Sequence, residues 1–307
     1  MRKVLPLYRQ EGFRLFLMNL PFIILVIIIC YLPLYGWIYA FYDYKPGVPL
    51  SKTAFVGLKY FQQMVQDKYA VNDLLRVLKN TFGIQIIGYL GSPLPMIFAI
   101  FLSEVRGRHY KKAVQTITTI PNFISWVLVY AVAYSMFSVG DGFFNKLFVS
   151  IGVIDAPINF LADNRGIWFK MWLWSFWKGC GWNAIIYFAA IAGIDEELCE
   201  AARVDGAGRF RIIWHITVPH LMPTFFVLLI LSIASFLNLG MEQYFVFSNG
   251  MVRNSIEVLD LYVYNQGMIK YQYPFTTAVG MLKSIVGLLL LFFANRLSKV
   301  VRGEGIM

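Results

Sequence analysis

Charge is scarce in this sequence. Only 14% of its 307 residues are Asp, Glu, Lys or Arg, where a soluble domain carries about a quarter. With 58% hydrophobic residues and a mean hydropathy of +0.60, the chain cannot wrap its apolar residues in a polar shell. That excludes an ordinary soluble enzyme and points to lipid as the solvent. Cysteine is scarce too. Cys30, Cys180 and Cys199 are odd in number and scattered, which excludes a disulfide framework or a thiolate metal site; they read as small buried hydrophobes. The three histidines, His109, His215 and His220, read as interfacial polar residues, since the last two are five apart and share no helix face. No Gly is followed by Lys, so a P-loop and its ATP site are missing. HExxH, CxxC and a nucleophile elbow are missing as well. No catalytic set and no metal site is legible. Acidic residues are the minority, 17 against 27 basic, for a net charge of +10. In a membrane protein such an excess reflects the positive-inside bias, so no nucleic-acid partner is expected.

What the sequence does contain is long apolar runs. A membrane helix needs about 20 such residues, and six stretches qualify: 20–42, 81–103, 113–138, 168–194, 222–247 and 274–295. Several hold Pro or Gly, which spans tolerate because neighbouring helices satisfy the freed backbone groups. With the N-terminus inside, the cytoplasmic segments carry 14 Lys and Arg and the opposite side ten, six of these within 43–80. The short connection 104–112 alone has Arg106, Arg108, Lys111 and Lys112, and short loops weigh most in this rule. Both termini are therefore expected in the cytoplasm. The first run is too long for a signal-peptide core and reads as a retained span after a cytoplasmic segment, 1–19. Apolar residues at helical spacing in 57–79 predict a short amphipathic helix on the outer surface. No repeat, low-complexity tract or soluble domain is visible. The expected fold is an all-α membrane protein with six transmembrane helices, its permease domain covering 20–307.

One segment breaks the pattern. Residues 195–223, DEELCEAARVDGAGRFRIIWHITVPHLMP, are too polar to span and too long for a plain turn. Asp195 suits a helix N-cap, and Glu196 and Glu197 place negative charge in the first turn. The step Asp205-Gly206 ends that helix. A second amphipathic helix is expected over 209–217, stopped by Pro219 and Pro223. The physical reading is a helix–turn–helix on the cytoplasmic face between the fourth and fifth spans. Its Ala surface permits close approach, and its carboxylates offer handles for a partner's basic groups. An ordinary interfacial loop is the other reading.

Glu200-Ala201-Ala202, then Gly206, Ile216 and Pro219, matches the EAA---G---------I-LP signature, with Val218 in place of the usual Leu. The chain thereby resembles the inner-membrane permeases of binding-protein-dependent ABC importers. The extended form EAARVDGAG is similar to the sugar-importing branch. The stretches from Pro121 to Trp126, Trp177 to Trp182 and Glu257 to Tyr264 resemble the subfamily for polysaccharides or complex oligosaccharides.

That resemblance implies a bacterial inner-membrane, multi-pass location. It implies four kinds of partner: a second homologous permease, two cytoplasmic ATPase subunits, an extracytoplasmic solute-binding protein and a sugar. ATP and Mg would be bound by the ATPases and not by this chain, so no cofactor of its own is expected. Within the coupling loop, 195–221, the resemblance assigns Glu200, Ala201, Ala202, Asp205, Gly206 and Ala207 to ATPase docking. A substrate path is inferred from ionisable residues inside spans, which usually face protein or water. These are Lys178, Glu242 and Lys283. Trp174, Lys178 and Trp182 share one helix face, where rings could cover a sugar while the ammonium bonds its hydroxyls; an aromatic belt or interhelix packing explains the same rings. Glu242, Gln243 and Tyr244 are candidates for the outer cavity, although Glu242 and Lys283 could simply pair. Two other functions stay open at this point: import of a peptide or amino acid, and an intramembrane enzyme, for which no acid–base or metal set is visible.

Overall fold

The computed structural model describes residues 11–302, and among them every regular element is helical apart from one isolated antiparallel bridge, Tyr42 to Phe55. Residues 1–10, with Arg2, Lys3 and Arg9 of the expected cytoplasmic segment, lie outside the described residues. Four helices are long and apolar enough to cross a membrane: Gly12–Phe41, Lys68–Ser103, Arg209–Ala234 and Tyr273–Arg296. A fifth is reached if the bent pair Arg108–Phe123 and Trp126–Phe137 forms one span. The chain forms two compact units, one taking the residues up to Asp67 with Gln266–Leu282, the other Lys68–Asn265 with the residues from Lys283 on.

In the first unit, α1 (Glu11–Val26) runs through a π turn, Ile27–Tyr31, into a 3-10 stretch, Leu32–Phe41. Pro33 explains the change of winding, because its ring has no N–H to give and crowds the carbonyl four residues back. The wider turn lets the Leu32 N–H reach the Ile27 carbonyl instead. Cys30, expected inside, is exposed on this helix. After it, Asp43 N–H donates to Ala54 O (2.9 Å) and Val56 N–H to Phe41 O (2.8 Å), leading into α2 (Lys59–Gln66). The amphipathic helix expected over 57–79 is therefore shorter, since Asp67 adopts an extended conformation and ends it.

The second unit opens with α3 (Lys68–Gly91) and α4 (Leu94–Ser103), with Pro93 as the cap between them. The helix begins well before residue 81, where composition alone placed it. Next come α5 (Arg108–Thr119), a 3-10 turn Ile120–Phe123 and α6 (Trp126–Phe137). The straight span expected over 113–138 is instead bent by 107°. Pro121 removes a donor, and Ser125, in extended conformation, starts a new helix by accepting from Leu128 N–H at 3.4 Å. Short α7 (Phe143–Ser150) precedes α8 (Ile167–Ala192). At 26 residues and 1.5 Å per residue, α8 is about 39 Å long, enough to span. Its five tryptophans and Lys170, Lys178 and Asn183 keep its hydropathy low.

Helix α8 is the packing axis of this unit. A Cβ on Gly83 would sit 2.4 Å from the Trp168 ring, and one on Gly91 would sit 2.3 Å from Trp172, so α3 receives two indoles where it has no side chain. Gly181 meets backbone: a Cβ there would lie 2.3 Å from the Thr118 carbonyl oxygen of α5. Small residues at helix crossings are how membrane helices gain contact without a hydrophobic drive between them.

Downstream lie α9 (Glu196–Val204), α10 (Arg209–Ile212), a π turn Ile213–Thr217 and α11 (Val218–Ala234). Pro219 and Pro223 do not stop the second amphipathic helix as expected. The π turn absorbs the missing donors, and Arg209–Ala234 winds as one helix. The chain leaves helical geometry at Ser235, so the stretch 222–247 is broken before α12 (Glu242–Phe247). Then follow α13 (Arg253–Ile256), α14 (Leu259–Tyr264), a π turn Asn265–Ile269 and α15 (Tyr273–Arg302). A core of Ile84, Val129, Met171, Tyr244, Phe247, Val258 and Leu261 joins α3, α6, α8, α12 and α14.

Candidate functional site

The segment after α8 folds from local rules. Asp195 caps α9, its carboxylate accepting from Glu197 N–H at 3.0 Å, and Glu196 and Glu197 occupy the positive end of the helix. At the other end Ala207 N–H donates to Ala202 O (2.8 Å) and Gly206 N–H to Arg203 O (3.0 Å), the paired bonds of a Schellman cap. Gly206 carries φ +79°, a left-handed conformation that a side chain resists. Glu200, Ala201, Asp205 and Gly206 are exposed, and Ala202 and Ala207 are half-buried. Apolar side chains point outward here as well: Val204 is 88% exposed and Phe210 79%. The arrangement is a short, rigid, two-ended plug with carboxylates and uncovered apolar groups, held by α8 on one side and α11 on the other.

A cavity of about 390 Å³ lies beside the middle of α8. Its wall includes Gln85, Tyr89, Trp172, Ser175, Asn183 and Ser232, and no charged residue lines it. Gln85 Nε2 donates to the Tyr89 hydroxyl (3.2 Å), which donates to Ser232 O (3.1 Å). The Asn183 amide has no partner among the described residues. Indole, phenol, amide and hydroxyl groups around a neutral hollow suit a polyhydroxylated ligand, with rings for its C–H faces and fixed donors and acceptors for its hydroxyls.

The residues singled out from the sequence are placed elsewhere. Trp174 packs against Phe137, Trp177 and Phe247, with ring centroids 5.9 to 6.1 Å apart. Lys178 donates to Asn122 O (2.7 Å) and lies 5.5 Å from the Trp126 ring centre. Trp182 meets Phe123 edge-on at 5.7 Å. Lys178 and Trp182 thus cover the bend between α5 and α6, Trp174 packs on the end of α6 and on α12, and none of the three lines the cavity. Gln243 is buried, donating to Met171 O (2.7 Å) and accepting from the cavity's Ser175 hydroxyl (2.6 Å). Tyr244 is buried in the core, and Glu242 is exposed at the start of α12. Lys283 does not pair with Glu242 but with Asp260, whose other oxygen accepts Gly240 N–H at 2.8 Å. That clasp holds the unwound stretch between α11 and α12. Sequence reasoning missed Gln85, Tyr89, Trp172, Ser175, Asn183 and Ser232. They look like unremarkable span residues, and only the crossing of α3, α8 and α11 brings them together.

Several apolar helices, a neutral hollow among them and a projecting plug without a nucleotide site define a multi-pass membrane transport component. Residues 91–303 match the model of the family described as binding-protein-dependent transport system inner membrane component. The chain belongs to that family: it is a permease subunit of an ABC importer, not a catalytic subunit. It is 40% identical to Protein LplB of Bacillus subtilis (strain 168) over 295 residues, covering 95% of this chain and 90% of that one. It is 39% identical to the polygalacturonan/rhamnogalacturonan transport system permease protein YteP of the same organism, covering 99% and 93%. Among solved structures it is similar to a chain of a bacterial alginate ABC transporter in complex with alginate pentasaccharide-bound periplasmic protein. The TM-score is 0.85 at 31% identity, covering 96% of this chain and 97% of that one.

Proposed function

We propose that this chain is the transmembrane subunit of an ATP-driven oligosaccharide importer in a bacterial inner membrane. It crosses six times with both termini in the cytoplasm, the bent α5–α6 pair and α8 each counting as one span. A second homologous permease completes the path, and a solute-binding protein delivers sugar from outside. Two cytoplasmic ATPases bind ATP and Mg, and one of them receives the 195–208 plug of this chain while the other receives the corresponding loop of the second permease, with Glu200, Ala201, Ala202, Asp205, Gly206 and Ala207 at this chain's contact. Import of a peptide or amino acid is less well supported, because relatives with printed cargo transport polysaccharides or oligosaccharides and the hollow beside α8 offers rings and neutral polar groups but no charge. The substrate path follows that hollow. Trp174, Lys178, Trp182, Glu242, Gln243, Tyr244 and Lys283 lie outside that hollow, and of them Gln243 reaches its wall, through the Ser175 hydroxyl.

The observation that carries the reading is the exposed, doubly capped α9 directly after a helix that flanks the cavity. The test is purification of the tagged chain from native membranes with a cysteine at Ala201 for crosslinking. Recovery of a second permease and an ATPase crosslinked through position 201 is the expected result. Recovery of this chain alone, stable and with no ATPase, would overturn the reading.

A further inference from the structure

Helix α5 changes character after its first turn. That turn and the connection before it carry Arg106, Arg108, Lys111 and Lys112, with one carboxylate, Glu104, beside them. None of these groups is in an ion pair among the described residues. The plug's carboxylates, from Asp195 to Asp205, pair with none of them either. The uncompensated charge at this end of α5 is therefore positive, and Arg106, Arg108 and Lys112 are exposed.

Further along, the same helix borders a cleft of about 400 Å³ against α8. Thr116, Thr119, Ile120 and Phe123 line one side, and Ile185 and Phe188 of α8 line the other. Both threonine hydroxyls donate to their own helix, Thr116 to Lys112 O (2.9 Å) and Thr119 to Gln115 O (2.7 Å). The wall thus offers no free hydroxyl donor. Gln115, at the basic end of the cleft, has an amide with no partner among the described residues. Ile120 and Ile185 are exposed, and Phe123 is 73% exposed, so this chain does not cover the cleft itself. Arg108, Lys112, Gln115 and Thr119 recur at i, i+4, i+7 and i+11, one stripe of the helix. Helical side chains lean toward the N-terminus, which carries the two charged heads away from the cleft while their stems follow its rim. From Gln115 to Phe123 the cleft runs about 12 Å at 1.5 Å per residue. One leaflet of a bilayer core is about 15 Å deep.

We infer that this cleft is a site for an anionic phospholipid of the cytoplasmic leaflet. Arg108 and Lys112 meet the phosphate, the Gln115 amide bonds an ester carbonyl, and one acyl chain lies against Ile120, Phe123 and Ile185. This rests on the topology proposed above, which puts the 104–112 connection in the cytoplasm, and adds a lipid ligand to it. A sugar fits poorly, because the hydroxyls that would bond it are spent; the hollow lined by Tyr89 and Ser175 differs in that respect. A second homologous permease would bring its own positive-inside segment to the same level, where like charges repel. Acidic headgroups are what a basic juxtamembrane end attracts.

The test is titration of the full chain, with its co-purifying partners, in detergent micelles, read by native mass spectrometry. The probes are dioleoylphosphatidylglycerol and dioleoylphosphatidylcholine. Phosphatidylglycerol should bind saturably, at least tenfold tighter than phosphatidylcholine. Affinity should fall at least tenfold in the double variant Arg108→Gln/Lys112→Gln. It should fall at least fivefold in Ile185→Trp, which fills the cleft and leaves the charge untouched. Lys45→Gln/Lys52→Gln removes the same charge from exposed sites in the other unit and should bind as the parent does. Glycerol 3-phosphate at equal ionic strength should not displace the lipid. Equal affinity for both lipids, an unaffected double variant, an unaffected Ile185→Trp, an equal loss in the control, or displacement by glycerol 3-phosphate would each overturn the site. So would a crosslink from Phe123→Cys to another protein chain in native membranes, since the cleft would then be covered by protein. Labelling of Arg106→Cys in intact cells separates the two readings. A membrane-impermeant maleimide that reaches it from outside refutes the topology, while the titration still decides the site.

Discussion

The plug between α8 and α10 and the seam that joins α3 and α8 to α12–α14 are built in opposite ways. In the plug every capping bond spans two to five residues: Asp195 to Glu197, Arg203 to Gly206, Ala202 to Ala207. In the seam the partners are far apart. Arg76 meets Glu257 across 181 positions, the Thr81 hydroxyl accepts Leu259 N–H across 178, and Gln243 reaches Met171 across 72. The first region can keep its shape if the rest of the molecule shifts. The second exists only when distant helices are already in place. The difference teaches that the exposed plug is mechanically self-contained, while the membrane interior depends on long-range polar contacts.

Four substitutions probe that contrast. Glu257→Ala strikes the seam hardest. The Glu257 carboxylate is buried and accepts from both Arg76 (2.8 Å) and Asn265 (2.7 Å). Arg76 is only half-buried and keeps Asp73, so the loss is that of two hydrogen bonds to a charged group, about 1.5–3 kcal/mol each, and the variant should melt well below the parent in detergent. A normal elution profile and melting temperature would break the contrast. Gly206→Pro and Glu200→Lys should do the reverse. Proline cannot take φ +79°, yet the distortion stays within the plug. Each variant should insert and melt normally while sugar uptake and stimulated ATPase activity fall at least tenfold. Wild-type uptake in both would remove the docking role from the plug.

Gln243→Leu is intermediate. It deletes two hydrogen bonds between α12 and α8, and such bonds in membranes average about 0.6 kcal/mol each. A melting shift of a few degrees is expected, and Gln243→Glu should recover none of it, because its carboxylate cannot donate to the Met171 carbonyl. The smallest effect lies in neither region. The Tyr60 hydroxyl donates to Asp43 at 2.5 Å and holds that carboxyl below its ordinary value of 3.8. The resulting stability is present above 3.8 and fades as pH falls through the lowered value. Tyr60→Phe should cost about 1 kcal/mol at neutral pH and lose that extra acid sensitivity, measured by melting between pH 3 and 6.

The same contrast explains what could be read from the sequence. The plug's N-cap at Asp195, its turn at Gly206 and the bounds of α8 follow from short-range chemistry. The bend at Pro121 and the break after Ala234 do not stand out, because in lipid-facing runs the residues on both sides stay apolar whether or not the helix continues. Pro219 and Pro223 misled in the other direction: a π turn supplied the slack that a proline usually takes by ending a helix. The tryptophan face of α8 was visible, but not which helix would cover it. Lys178 and Trp182 meet the α5–α6 bend, and Trp174 meets the end of α6 and α12. Trp172 and Ser175, one helical step away, reach the hollow.

Helix α8 also has the geometry of a lever arm. It is anchored to α3 by two indoles seated on Gly83 and Gly91, and it ends three residues before α9. Over a rod about 39 Å long, a ten-degree tilt pivoted at the plug displaces the far end by about 7 Å. That end carries Trp168 and Phe169, beside Arg76 and Lys79 of α3, and the middle carries Trp172 and Ser175 of the neutral cavity. Because the indoles are keyed into α3, such a tilt cannot leave α3 behind. A tilt of α8 thus carries α3 with it, and the neutral cavity changes where those two helices meet α11 rather than between them.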